Sequence, residues 1–190
     1  MLIQEYQARW EEDFEEIRHV IAEALTGLDI TIEHVGSTAV PRLAAKPIID
    51  IDVVFSSSID FEEVQSRLEQ IGYVHNGNQG IPEREVFKRQ HIARAHPILD
   101  SLSHHLYVCR AQSEELRRHL LFRDYLRTHR EARQEYQELK YRIAEEARQD
   151  RKKYTELKEM QAKAFVEAVL AKSQEQNTEK LSQQVFMRDL

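Results

Sequence analysis

Two aspartates separated by one residue stand in the strongest strand pattern of the chain. The segment IIDIDVVF (48–55) is rich in β-branched residues, which favour strands. Because side chains alternate along a strand, Asp50 and Asp52 should share one face, about 7 Å apart. Two carboxylates this close favour protonation unless a cation intervenes. The pair therefore predicts a site for Mg²⁺ or Mn²⁺, which take oxygen ligands and bridge to phosphates; the alternative is two solvated acids on an exposed strand face.

A Gly-Ser turn and a lysine precede this strand. Gly36 and Ser37 follow a second strand pattern, ITIEHV (30–35). A glycine lets backbone N–H groups approach a phosphate closely, and the serine hydroxyl adds a donor. Lys46, between the two motifs, would add a positive charge to the same phosphates. The alternatives are an ordinary turn and a solvated loop lysine, but the strand, Gly-Ser and D-x-D in succession predict a phosphate site more specifically than any one of them.

A later strand supplies a histidine to the same face. In SHHLYVC (103–109) the apolar face carries Leu106 and Val108, so His105 and Tyr107 should share the face of the two aspartates. Histidine side chains serve as bases and as metal ligands, and His105 would act as one or the other. The alternative, given equal weight, is a structural histidine under the sheet. We count His105 with Asp50 and Asp52 as catalytic candidates.

Four basic residues are further candidates for phosphate contacts. Arg84 and Lys88 flank or lie in the strand pattern EVFKR (85–89), and Arg123 and Lys140 lie in the helical second half. Basic groups neutralise charge at phosphoryl-transfer sites. The alternative, which holds for most Arg and Lys on Glu-rich helices, is a solvated side chain or an i,i+4 ion pair.

The nine histidines do not form a recognisable zinc motif. The candidates for such a site are His91, His96, His104 and His105. His104 and His105 are adjacent in a strand and should therefore point to opposite faces. Neither H-E-x-x-H nor a pair of cysteines accompanies them. We therefore expect no zinc site, and we interpret Cys109 as a small buried residue.

The elements that must position these residues differ between the two halves of the chain. All five glycines and all four prolines lie within the first 97 residues, and these residues punctuate short elements and turns. Apolar periodicity predicts helices over 4–25 and 60–71, short strands over 73–75 and 104–109, and long helices beyond 112. A Thr128–Glu131 capping box and Asp150 predict breaks between those helices. The predicted class is α+β: a small mixed sheet flanked by helices, with a helical C-terminal half.

Composition narrows the possible partners. The chain has 190 residues and a formal net charge of −6, which argues against general nucleic-acid binding. No stretch is apolar enough to span a membrane, and the single cysteine fits a reducing cytoplasm, the expected location. The last residues, 173–190, are polar and predict a tail.

Three stretches resemble one protein family. They are HVGSTAVPRLAAKPIIDIDVVF (34–55), FRDYLRTHREARQEYQELK (122–140) and RKKYTELK (151–158), and the early Trp10 accompanies them. These residues are similar to the GrpB-like family of the nucleotidyltransferase superfamily, which has a DNA polymerase β-like palm. The resemblance implies a single domain over 1–172, with a palm over about 28–110 and a helical part over about 112–172. It places Ser37 in the phosphate-holding position and Asp50 and Asp52 in the metal-binding pair.

One departure from the superfamily pattern affects the expected activity. The superfamily usually carries a third carboxylate on a later strand, but strand 104–109 has no acid, and Glu85 is the nearest candidate. The resemblance implies a metal-dependent nucleotidyltransferase that transfers a nucleoside monophosphate from a nucleoside triphosphate to an unknown acceptor, with Mg²⁺ or Mn²⁺ and no organic cofactor. The alternatives are a non-catalytic nucleotide or phospho-ligand binding module with a degenerate palm, and an interaction protein whose helical half recruits a partner.

Overall fold

Helices and strands are interspersed as far as residue 110, and the described elements from residue 114 onward are all helices. The computed structural model describes residues 1–90 and 95–188, the last ten by backbone only. In chain order the elements are α1 (Arg9–Ala24), β1 (Ile30–Val35), a short 3₁₀ turn (Ser37–Ala39), β2 (Ile49–Phe55), α2 (Phe61–Gln70), β3 (Tyr73–His75), β4 (Arg84–Arg89), α3 (Pro97–Ser101), β5 (His104–Arg110), α4 (Glu114–Thr128), α5 (Arg130–Glu146) and α6 (Arg151–Arg188).

The five strands form one mixed sheet in the order β1-β2-β5-β4-β3. Strands β2 and β5 run parallel at its centre, and every other neighbouring pair is antiparallel. Parallel neighbours require a long crossover connection, and here the chain from β2 to β5 contains α2, β3, β4 and α3. The predicted α+β class with a mixed sheet and a helical second half is confirmed.

The apolar face of the central strand carries the core. Ile49, Ile51, Val53 and Phe55 alternate with the aspartates along β2 and belong to a buried cluster that includes residues of α1 and α2. Helix α1 contributes Phe14, Ile17 and Ile21 to it, at the spacing that puts them on one face of a helix. Burying one face of β2 in this way leaves Asp50 and Asp52 on the other face.

Some predicted boundaries and one cap were wrong. Helix α1 begins at Arg9 rather than at residue 4, and α3 was not predicted. The chain breaks where the capping box stood, but Thr128 ends α4 instead of capping α5: its Oγ1 donates to the carbonyl oxygens of Asp124 and Tyr125. Backbone contacts one turn back therefore compete successfully with the cap. The second break, near Asp150, separates α5 from α6 as predicted.

The chain divides into two compact units. One spans residues 4–119 and contains the whole sheet; the other combines residues 1–3 with the described residues from 120 onward. In the second unit the rings of Tyr136 and Phe165 stack with centroids 5.1 Å apart, and Phe122 meets Tyr136 edge-on. Helix α6 continues without a break past residue 172; the predicted 1–172 domain and 173–190 tail stay predictions. Within the described residues, no helix is long and apolar enough to cross a membrane.

Candidate functional site

The register of the central strands sets the two aspartates beside β5. Asp50 lies opposite His105, and Asp52 opposite Tyr107, across the parallel β2–β5 ladder. Residues that lie opposite one another share a sheet face, so the predicted shared face of Asp50, Asp52, His105 and Tyr107 is confirmed. His105 Nδ1 donates to Asp50 Oδ1 over 2.9 Å. The two strands thus join a carboxylate and an imidazole on the face away from the core.

The Gly-Ser turn packs directly against the first aspartate. Gly36 has φ +72° and ψ −167°, a conformation that is essentially restricted to glycine. A Cβ placed on Gly36 would overlap Asp50 Oδ2 and stand 3.0 Å from Asp50 Cγ. Glycine at this position therefore lets the backbone of the turn lie against the carboxylate, so that the predicted phosphate loop and the predicted metal pair meet.

The second aspartate is fully buried and bonded to a histidine. Asp52 has 0% exposure, and its Oδ2 accepts a hydrogen bond of 2.7 Å from His119 Nδ1. The other nitrogen of that ring, Nε2, lies 3.3 Å from Glu115 Oε1. Asp52 Oδ1 is buried and has no hydrogen-bond partner within the described part of the chain. One oxygen of the Asp52 carboxylate is therefore fixed by His119, and the other is available to bind a cation.

The charges of Asp52, His119 and Glu115 follow from burial and hydrogen bonding. Burial raises the pKa of Asp52, although its hydrogen bond to His119 acts in the opposite direction. Burial alone would lower the pKa of His119, but its hydrogen bonds to Asp52 and Glu115 outweigh that effect and raise it to about 9. The hydrogen bond from His119 lowers the pKa of Glu115. His119 is therefore an imidazolium at neutral pH, and both of its nitrogens donate.

Arg84 and Lys88, the two basic candidates of β4, have different surroundings. The Arg84 guanidinium stacks over the Tyr107 ring, with its Cζ 4.7 Å from the centroid, and its Nη1 lies 3.7 Å from Glu115 Oε1. Arg84 Nε is buried, and no described residue accepts its hydrogen. Lys88 is exposed. Their phosphate contacts stay predictions.

The acidic candidate from β4 was wrong. Val86 lies opposite Tyr107 and shares its face, so Glu85, one residue earlier, points to the other face. There its Oε2 accepts a hydrogen bond of 2.6 Å from His75 Nε2. Glu85 therefore cannot complete the aspartate pair.

The histidines considered for zinc have separate partners. The prediction that His104 and His105 face opposite sides is confirmed, because His104 Nε2 accepts from the Tyr73 hydroxyl while His105 bonds to Asp50. His96 caps α3 by accepting from backbone N–H groups through Nδ1. His91 lies outside the described residues.

Local bonds hold the loop that carries the predicted phosphate contacts. Thr38 Oγ1 donates to the carbonyl of Ile48 over 3.3 Å and lies 3.0 Å from His34 Nε2. This ties the 3₁₀ turn to the start of β2. Ser37, its first residue, and Lys46, two residues before Ile48, are half-buried. Their phosphate contacts stay predictions.

Arg123 and Lys140 lie in the second unit. Arg123 forms an ion pair with the adjacent Asp124, 2.7 Å apart. Lys140 has 1% exposure, its Nζ lies 4.9 Å from the Tyr136 ring centroid, and burial lowers its pKa well below the ordinary value. This burial argues against contact between Lys140 and a solvated triphosphate.

The aspartate pair suits a hard cation that completes its shell with substrate oxygens. Among the described residues, no three His, Cys, Asp or Glu side chains are arranged to hold a metal ion by themselves. Magnesium, however, is usually held by one or two carboxylates together with waters and phosphates. The free, buried Asp52 Oδ1 and the Asp50 carboxylate beside Gly36 provide two such oxygens. The residues present therefore fit a metal bound jointly with a phosphorylated substrate.

Sequence reasoning did not identify His119 and Glu115. The two residues are four apart at the start of α4, which puts them on one helix face and is a detectable acid–histidine spacing. The hydrogen bond from His119 to Asp52, 67 residues away, depends on how the start of α4 packs. That contact has no local signal in the sequence.

Residues 1–172 match the family model of the GrpB protein, and the chain belongs to this family. It is 33% identical over 139 residues to the UPF0157 protein YqkA of Bacillus subtilis, covering 73% of this chain and 38% of YqkA. The chain therefore spans less than half the length of this relative.

Two solved structures resemble the fold. The crystal structure of the conserved protein GrpB from Enterococcus faecalis superposes with a TM-score of 0.74 at 31% identity, over 92% of this chain and 98% of that one. Cid1, a poly(U) polymerase, in complex with its short product ApU superposes with a TM-score of 0.52 at 12% identity, over 75% of this chain and 43% of Cid1. At that identity the likeness shows a shared nucleotidyltransferase-like fold.

Proposed function

We propose that this member of the GrpB family is a metal-dependent nucleotidyltransferase, which transfers a nucleoside monophosphate from a nucleoside triphosphate to an acceptor. The observation that carries the proposal is the packing of Gly36 against Asp50. This contact supports the proposal because the turn would hold a phosphate and the carboxylate would hold a cation, and a metal–triphosphate complex needs both at once. The single cysteine fits the reducing cytoplasm, where we propose that the activity takes place.

The chain's residues divide the work by position. Asp50 and Asp52 would hold Mg²⁺ or Mn²⁺, which neutralises charge on the triphosphate when bound. Gly36, Ser37 and Lys46 would hold the terminal phosphates and leave the α-phosphorus exposed to the acceptor. Catalysis then depends chiefly on positioning and charge neutralisation.

Proton transfer falls to His105. Its Nδ1 donates to Asp50 Oδ1, so Nε2 is left to accept the proton of an acceptor hydroxyl. As the proton moves to Nε2, the acceptor oxygen forms a bond to the α-phosphorus. The bond from that phosphorus to the bridging oxygen breaks, and pyrophosphate leaves with the electron pair.

Binding of a non-hydrolysable nucleoside triphosphate to the full chain, measured by calorimetry with and without Mn²⁺, tests the proposal. We expect metal-dependent binding in the wild type and at least tenfold weaker binding in Asp50→Asn. Asp60→Asn is the matched control, because Asp60 is exposed and its side chain caps nothing at the start of α2. Equal affinities in all three proteins would refute the proposal.

A second function, nucleotide or phospho-ligand binding without catalysis, is favoured by the composition of β5. The positions opposite Asp50 and Asp52 carry His105 and Tyr107 rather than an acid, so the superfamily's third carboxylate has no counterpart there. Labelled-triphosphate turnover with Mg²⁺ or Mn²⁺ separates the two functions. Binding without pyrophosphate release, across hydroxyl and phosphate acceptors, would favour the binding module.

A further inference from the structure

A pocket of about 650 Å³ opens beside the aspartate pair, on the side of β4 and α3. His105 and Tyr107 belong both to its wall and to the sheet face of Asp50 and Asp52. Its volume falls within the range of small-molecule sites. A molecule in this pocket would therefore reach the nucleotide site through His105 without passing through the Gly36 loop.

The β4 side of the pocket carries two basic side chains with an apolar one between them. Arg84, Val86 and Lys88 alternate along β4 and share one face, so the two cations stand about 13 Å apart with the valine between them. Leu99 of α3 also lines the pocket. A site of this kind accommodates a small organic body with a negative group at one end.

The two cations retain capacity to bind an anion. Lys88 is exposed and is in no ion pair within the described part of the chain. Arg84 keeps a buried Nε–H without a described acceptor, and its distance to the Glu115 carboxylate, 3.7 Å, exceeds a hydrogen bond. By contrast, Arg89 at the rim already binds Asp100 through two nitrogens. Arg84 and Lys88 are therefore the pair that a ligand would use.

We propose that this pocket is the acceptor subsite, and that the acceptor is a phosphorylated small molecule with a free hydroxyl. Its phosphate would lie against Arg84 or Lys88, and its hydroxyl would point past Tyr107 to His105. The inference rests on the proposed function, since it assigns the substrate class of the same site. It reassigns the phosphate contacts of Arg84 and Lys88 from the triphosphate to the acceptor.

Ligand-induced chemical-shift changes of pocket methyl groups, measured by NMR, test this proposal without nucleotide or metal. The full chain, with labelled Val and Leu methyls, is titrated with glycerol 3-phosphate, ribose 5-phosphate and glucose 6-phosphate, and with the three unphosphorylated parents. We expect at least one phosphorylated compound to shift the Val86 and Leu99 signals and its parent to shift neither. Identical behaviour of every phosphate and its parent, including no shift at all, would overturn the proposal.

Charge variants locate the anion. Lys88→Gln and Arg84→Gln are titrated with the compound that binds, and Lys152→Gln, an exposed lysine on α6, is the matched control. We expect Lys88→Gln or Arg84→Gln to weaken binding about tenfold, as for loss of one charge-assisted hydrogen bond, and Lys152→Gln to leave it unchanged. Weakening no greater than in the control for both variants would overturn the proposal.

The nucleotide experiment separates this inference from the function beneath it. Triphosphate binding that depends on Asp50, together with a pocket that ignores phosphorylated compounds, would refute the acceptor subsite alone. A triphosphate that shifts the Val86 and Leu99 methyls would also refute it, because the pocket would then belong to the nucleotide. If the wild type bound the phosphorylated compounds but no nucleoside triphosphate, the proposed nucleotidyltransferase activity would be refuted instead.

Discussion

Replacing Gly36 with alanine should damage the candidate site more than the fold. The residue has φ +72° and ψ −167°, and holding a non-glycine residue there costs about 1–3 kcal/mol. The new Cβ would also overlap Asp50 Oδ2. The cheapest relief is rotation of the Asp50 carboxylate, which breaks its 2.9 Å bond to His105, a further loss of about 0.5–1 kcal/mol for a partly exposed pair.

Gly27→Ala provides a control with the same sign of φ. Gly27 has φ +86°, but a Cβ there meets no atom of the described residues within 4 Å, so only the backbone cost of about 1–2 kcal/mol applies. We therefore expect losses of about 2–4 kcal/mol in Gly36→Ala and about 1–2 kcal/mol in Gly27→Ala. Urea unfolding measures both through Trp10, the single tryptophan, which is buried in the unit that contains the sheet.

Binding of Mn²⁺ with a nucleoside triphosphate, followed by electron paramagnetic resonance, provides the second comparison. We expect Gly27→Ala to bind as the wild type does. Gly36→Ala should bind at least tenfold more weakly, since its Asp50 is displaced. If the two alanine variants matched in both stability and binding, the contact between the turn and Asp50 would not be what requires glycine, and the reasoning would fail.

Three further predictions concern buried polar groups. Hydrogen bonds, one of them to Asp52, outweigh burial and raise the pKa of His119 to about 9; the resulting stabilisation is complete below about pH 6.5 and disappears as the pH rises through 9. Between pH 6 and 10 the free energy of unfolding, measured with urea, should therefore fall by up to about 3 kcal/mol more in the wild type than in His119→Asn. Parallel pH profiles of this free energy in the two proteins would contradict the prediction. Burial lowers the pKa of Lys140, so burying this amine destabilises the fold until the pH approaches 10.5. Lys140→Met should therefore raise the melting temperature at pH 7, and a melting temperature below that of the wild type would contradict the prediction. Tyr73→Phe leaves His104 Nε2 without its 2.6 Å donor and should cost about 1–3 kcal/mol in urea unfolding; a loss below 0.5 kcal/mol, on the order of an ordinary surface substitution, would show that the bond contributes little.

The sheet and its polar face could be predicted because both depend on local periodicity. The alternation in 48–55 is enough to separate Asp50 and Asp52 from the apolar residues that fill the core. The same alternation in β5 put His105 on the face of the aspartates. What alternation could not provide was strand order and register: Glu85 was proposed for the aspartate face, and the β4–β5 register puts it on the other side.

The residues that the sequence could not place are those that reach the site across the fold. His119 contacts Asp52 because α4 begins next to the end of β5, where Ser113 Oγ accepts from the Leu116 N–H and fixes the first turn. This cap can be read from the sequence, but the direction in which it sends the helix cannot.

The contact between His119 and Asp52 also bears on how the site can work without a third carboxylate. In the described structure His119 Nδ1 donates to one oxygen of Asp52, and Glu115 Oε1 lies 3.3 Å from Nε2 on the far side of the ring. An additional acid on β5 would raise the repulsion among Asp50, Asp52 and Glu115, and only a more strongly held cation would offset it. With His105 in that place, Nδ1 is bonded to Asp50, and Nε2 is left for the proposed acceptor. A histidine rather than an acid at this position thus lowers the negative charge of the site. It would therefore favour the negatively charged acceptor that we propose to lie against Arg84 or Lys88.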